Sequence, residues 1–152
     1  MKHIILAYLI ACGTTVAIAQ TTAPTPTKKV MKTLGLSGKT PVATATATWT
    51  VDNTTTIYAS HPYANNIKGF RGPTPLYIAV SKEGKITAVA PDKNSETQTI
   101  WARVLGSKLF KAWNGKTLQS VATTKVDAVS GATYSSTAVI KTMQATAKKL
   151  SK

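Results

Sequence analysis

The chain has 152 residues, 43% of them hydrophobic, enough for one domain with a real core and too many for a disordered polymer. Its net charge of +14 comes from 19 Lys and Arg against 5 Asp and Glu. The lysines are spread along the chain and no nucleic-acid-binding motif accompanies them, so the excess reads as a solvated surface and nucleic acid is set aside as a partner.

Residues 1–19 read as a secretory signal peptide, with Lys2 as the basic start, an apolar run over 4–10, and Ala17-Ile18-Ala19 as a small-residue cleavage site before Gln20. That run is too short for a membrane span, which needs about 20 residues. An alternative is lipidation, because Leu9-Ile10-Ala11-Cys12 resembles a bacterial lipobox. The later cut is preferred and predicts export to the periplasm or cell envelope. Cys12 is the only cysteine. A mature chain without it excludes disulfides, thiolate-ligated iron–sulfur clusters and c-type haem, so any redox role must rest on an organic cofactor.

Residues 20–41 hold Pro24, Pro26, Pro41 and several Thr and Lys, and read as a flexible tether with one short amphipathic turn at Val30-Met31-x-x-Leu34-x-Leu36. The domain proper is expected over 42–152. Residues 43–51 alternate with period two, Asp52-Asn53 signals a turn, and 54–60 continue with β-formers, predicting a hairpin. His61 lies in a loop with no second His, Cys or acid at ligand spacing, so no metal site is expected. A second hairpin runs from Leu76 through Lys82-Glu83-Gly84-Lys85 to Ala90. A helix is predicted over 98–112, with Ile100, Trp101, Val104, Leu105 and Leu109 facing the core. A last helix is predicted over 137–150, with Val139, Ile140, Met143, Ala147 and Leu150 on one face. The expected fold is α+β, with antiparallel hairpins forming a small sheet against two or three helices.

Before the last helix stands Asp127-Ala128-Val129-Ser130-Gly131-Ala132-Thr133-Tyr134-Ser135-Ser136. A small, turn-prone tetrad at a helix mouth suits an anion such as phosphate, because free N–H groups and the positive end of the dipole collect there. The plainer alternative is that Ser135 or Ser136 caps the helix and Gly131 shapes the turn.

Asp127-x-x-Ser130-Gly131-Ala132-Thr133 resembles the acceptor motif of the FMN-binding domain family, which includes the covalent-flavin subunits of the sodium-pumping quinone reductase and of the Rnf complex. Gly69-Phe70-x-Gly72-Pro73 and Gly84-Lys85-Ile86 are similar to that family's entry and turn. Glu96-Thr97 matches its Glu-Thr pair, whereas Gln98 and Thr99 replace the Pro and Gly that usually follow. The resemblance spans about 69–150. It implies FMN joined through its phosphate to the Thr133 hydroxyl by a flavin transferase, with Asp127 steering that enzyme. It also implies cofactor contacts from Ser130, Gly131, Ala132, Tyr134, Ser135, Ser136, Glu96 and Thr97, with Tyr134 or Trp101 as stacking candidates. Plain helix-entry chemistry remains an alternative for Glu96.

No substrate-handling constellation accompanies these residues, so no catalytic residue is assigned. The expected role is an electron carrier, or a subunit of an oxidoreductase system, exchanging electrons with donor and acceptor proteins or a quinone-linked membrane complex. The alternatives are a small flavin-dependent reductase and a basic secreted binding module without flavin.

Overall fold

A computed structural model describes residues 23–152; the signal-peptide and Cys12 readings lie outside it. Its centre is a five-stranded antiparallel sheet in simple sequence order: β1 (Val42–Ala45), β2 (Thr48–Val51), β3 (Thr55–Ala59), β4 (Leu76–Ser81) and β5 (Ile86–Pro91). The α+β class with antiparallel hairpins is therefore what the chain adopts.

The stretch 43–51, expected as one strand, folds back at Thr46-Ala47, where Ala47 takes φ 52°. Alternating Ala and Thr suits a pleated ladder but carries no turn residue, so nothing local announces the reversal. Pairing decides it instead, with Val42 opposite Thr50 and Ala43 opposite Trp49. The next turn falls where Asp and Asn predict it: Asp52 and Asn53 adopt φ 51° and 54°, which short polar side chains tolerate.

Both faces of the sheet are covered. The strand β4 is buried from Leu76 to Val80. Leu76, Ile78 and Val80 face one core with Val104, Trp113, Val139 and Met143. Tyr77 and Ala79 face the other with Trp49, Val51 and Ile57.

Residues 23–36 close this second face, which corrects the flexible-tether reading for that part of 20–41. The helix α1 (Lys28–Thr33) is capped by the Thr27 hydroxyl, which accepts the Val30 N–H at 3.3 Å. Val30, Met31, Leu34 and Leu36 are all buried against the sheet, and the Tyr77 hydroxyl donates to the Pro24 carbonyl. Without this cover Trp49 and Ile57 would face water, and burying an aliphatic side chain is worth about 1.5–3 kcal/mol.

After β3, α2 (His61–Ala64) makes a single turn. His61 meets an acid far away in sequence, its Nε2 lying 3.0 Å from Asp92 Oδ2. On the first face α3 (Gln98–Gly106) is shorter than the 98–112 expected. Ser107 turns extended, its hydroxyl donating to the Val104 carbonyl at 2.7 Å and accepting the Leu109 N–H at 3.2 Å. A single 3₁₀ turn, Leu109–Lys111, and α4 (Leu118–Val121) follow. Then α5 (Thr133–Leu150) packs Val139, Met143 and Ala147 into the core. It begins four residues before the expected 137, because its first turn is polar and leaves no mark in the apolar periodicity. Among the described residues no helix is long and apolar enough to cross a membrane.

Candidate functional site

The loop leading into α5 is pinned from inside. Val126 and Val129 pack on the core, and the Ala132 N–H donates to the Val129 carbonyl at 3.0 Å. Gly131 takes φ +73°, a conformation glycine adopts without the steric cost a Cβ would bring. The Ser136 hydroxyl accepts the Val129 N–H at 2.9 Å and donates to the Ala132 carbonyl at 2.8 Å, so it ties the turn to the helix.

Ser135 and Ser136 are therefore not caps, as the plainer reading had them; both are buried in the first turn. The cap position is Ala132, which offers no side-chain acceptor. The first hydrogen bond of α5 runs from the Ser136 N–H to the Ala132 carbonyl at 2.9 Å. The N–H groups of Thr133, Tyr134 and Ser135 thus have no partner within the helix, and they converge where the dipole is positive.

Glu96 fastens this helix start to the loop at 69–72. Its carboxylate accepts the Arg71 N–H at 2.7 Å, the Phe70 N–H at 3.2 Å and the Ser135 hydroxyl. A Cβ at Gly69 would stand 2.9 Å from Glu96 Oε1, so glycine is what lets the loop close over the carboxylate. Burial pushes the Glu96 carboxyl up, but the Ser135 hydroxyl and the N–H groups of Arg71, Phe70 and Gly72 outweigh it and hold the group below its ordinary value. Helix-entry chemistry does not describe Glu96: Thr97 is the cap residue of α3, and the carboxylate is spent on the neighbouring loop.

A cavity of about 380 Å³ opens beside the turn at 130–133. Gly131, Ala132, Thr133, Tyr134 and Ser135 line one side; Thr97, Thr99 and Ile100 from the start of α3 line another, and Phe70 completes it. Tyr134 is 76% exposed and Phe70 65%, so both aromatic faces are open to a planar ligand at the rim. Of the other residues singled out from sequence, Ser130 and Asp127 are exposed on the loop outside this lining, and Ser136 and Glu96 support it from behind. Trp101 is not a stacking candidate here; it packs edge-on to Phe110, ring centroids 6.3 Å apart, and faces a different groove.

Phe70, Thr99 and Ile100 were not among the cofactor contacts expected from the sequence, and Ile100 was expected to face the core. An aromatic residue between two glycines was the available signal for Phe70; Thr99 and Ile100 carried none, since their facing depends on how α3 is docked. The other groove, about 550 Å³ between α1, the end of β5 and α3, is larger, and none of residues 130–136 lines it.

The site can receive a planar, largely apolar ring system with an anionic tail at the helix start. Thr133, an exposed residue, is part of its lining. Among the described residues no carboxylate, imidazole or amine lines the cavity, so nothing in it can take a proton from the Thr133 hydroxyl at neutral pH.

A family model described as FMN-binding domain matches residues 69–148. The match begins at the glycine that closes over Glu96 and ends in the last turns of α5. No curated protein matches the chain.

Proposed function

The chain belongs to the FMN-binding domain family, and from that premise we propose that it is an exported flavoprotein. Its FMN is joined by a phosphoester to the Thr133 hydroxyl, and it carries electrons in the bacterial envelope. The observation that supports the attachment is Thr133, an exposed residue, standing beside unpartnered N–H groups in the lining of a ring-sized cavity.

A phosphoester leaves one negative charge on the linked phosphate, and the N–H groups of Thr133, Tyr134 and Ser135 are the natural donors to it. Phe70 and Tyr134 flank the ring, while Thr97, Thr99 and Ile100 shape the floor. Bound FMN supplies reversible one- and two-electron chemistry; the chain's part is to orient the ring, limit water and leave an edge open to partners. The family resemblance assigns attachment to a flavin transferase, which breaks the phosphoanhydride of a flavin dinucleotide donor and releases the nucleoside monophosphate. A cavity lined by no base fits a proton acceptor supplied by that enzyme. Asp127, exposed on the loop before the turn, is within reach of such an enzyme.

Covalent linkage suits an exported protein. A reversible site empties when free FMN falls below its dissociation constant, and a phosphoester does not. Electron donors and acceptors are proteins of the envelope or a quinone-linked membrane complex.

The test is expression of the full chain with a flavin transferase, followed by a denaturing gel and mass spectrometry. Wild type retains yellow fluorescence and gains the mass of FMN less water on the peptide holding Thr133. Thr133→Ala retains neither, and a variant as fluorescent as wild type refutes the attachment.

A further inference from the structure

We propose that the Arg103 guanidinium binds the phosphate of the flavin, completing with the first turn of α5 a two-sided anion site; this rests on the FMN reading of the cavity. Arg103 lies on α3 four residues after Thr99 and three after Ile100, so it shares a helix face with two residues of the cavity wall. From there it reaches the acceptor turn. A Cβ at Gly131 would lie 2.3 Å from Arg103 Nη1, 3.4 Å from Cζ and 3.7 Å from Cδ. The guanidinium therefore occupies the space a side chain at Gly131 would take, two residues before Thr133.

The charge inventory leaves this cation unneutralised by protein. The chain has 5 acidic residues. Asp52 pairs with Lys39 at 2.7 Å, Asp92 with His61 at 3.0 Å, and Glu96 is enclosed by Arg71, Phe70 and Ser135. Neither remaining carboxylate, Glu83 nor Asp127, forms an ion pair with Arg103.

The exposed guanidinium thus lies close to the positive end of an uncapped helix, and an anion between the two is attracted by both. A phosphoester on Thr133 is such an anion. Guanidinium matches phosphate oxygens with two parallel N–H donors, which a lysine ammonium cannot reproduce. The positive φ of Gly131 and its missing side chain then serve the cofactor as well as the turn.

The experiment compares Arg103→Ala and Arg103→Gln with wild type, each prepared with and without the transferase. Thermal midpoints and the phosphorus NMR resonance of the linked phosphate are the readouts. If Arg103 binds the phosphate, both variants lower the midpoint of the flavinylated protein by about 3–6 °C. They leave the unflavinylated midpoint unchanged or raised, and they move the phosphorus resonance. Arg103→Lys recovers only part of the loss. Equal midpoint changes in both forms with an unmoved resonance would overturn the proposal while leaving the attachment intact. A wild-type chain that gains no flavin mass at Thr133 would remove the attachment and this inference together.

Discussion

Replacing Glu96 by Gln changes one buried atom from oxygen to NH₂ and tests how the site is held. The carboxylate accepts the Arg71 and Phe70 N–H groups at 2.7 and 3.2 Å together with the Ser135 hydroxyl. An amide keeps one oxygen acceptor, and its nitrogen must face a donor. Hydrogen bonds to a charged group are worth about 1.5–3 kcal/mol each, and a buried donor left unpaired costs about 1–3 kcal/mol. The expected loss is about 2–4 kcal/mol, a fall of roughly 10 °C in midpoint for a domain of this size.

Urea unfolding followed by tryptophan fluorescence measures it, with an unchanged denaturant slope expected. The folded-state pKa of Glu96 is depressed below the ordinary value of about 4.3. Its contribution is therefore complete above that pH and is lost as the pH falls through the lower folded value. The gap between wild type and Glu96→Gln should accordingly be widest at neutral pH and narrow in acid. A loss below about 0.5 kcal/mol, the range of an ordinary surface change, or a gap independent of pH, would refute the clamp.

Three further outcomes follow from the same geometry. Gly131→Ala meets both a positive φ and the Arg103 guanidinium, so it should cost about 1–2 kcal/mol in urea unfolding and slow flavin attachment in a timed gel assay. Phe70→Ala and Tyr134→Ala remove exposed rings, so stability should stay within about 0.5 kcal/mol of wild type while flavin fluorescence rises as stacking is lost. Met31→Ala, remote from the cavity but buried between α1 and the sheet, should cost about 2–4 kcal/mol; a neutral result would mean that residues 23–36 are dispensable to the fold.

The turn that leads into α5 was legible because its residues are contiguous. Ser130 to Ser135 form a turn and a helix entry whose geometry follows from a glycine, small residues and the helix after them. The strands from Leu76 to Pro91 were equally plain, since a turn-prone Glu83-Gly84 separates two apolar runs. Roles inside the motif were less visible. Ser135 looks like a cap in sequence, yet its hydroxyl donates to a carboxylate 39 residues away.

What sequence alone determined is local in origin: the glycine turn before α5, the β4–β5 hairpin, and the apolar face of α5 all arise from neighbours within one turn or one hairpin. Only the tertiary structure decided that residues 23–36 cover the second face of the sheet, that Glu96 joins two loops, and that Arg103 leans on Gly131. Each is a meeting of segments far apart along the chain. Such meetings are set by which apolar surfaces remain uncovered once the sheet has formed and by which buried charges must find donors there, and neither demand is written in the short-range pattern of the residues that answer it.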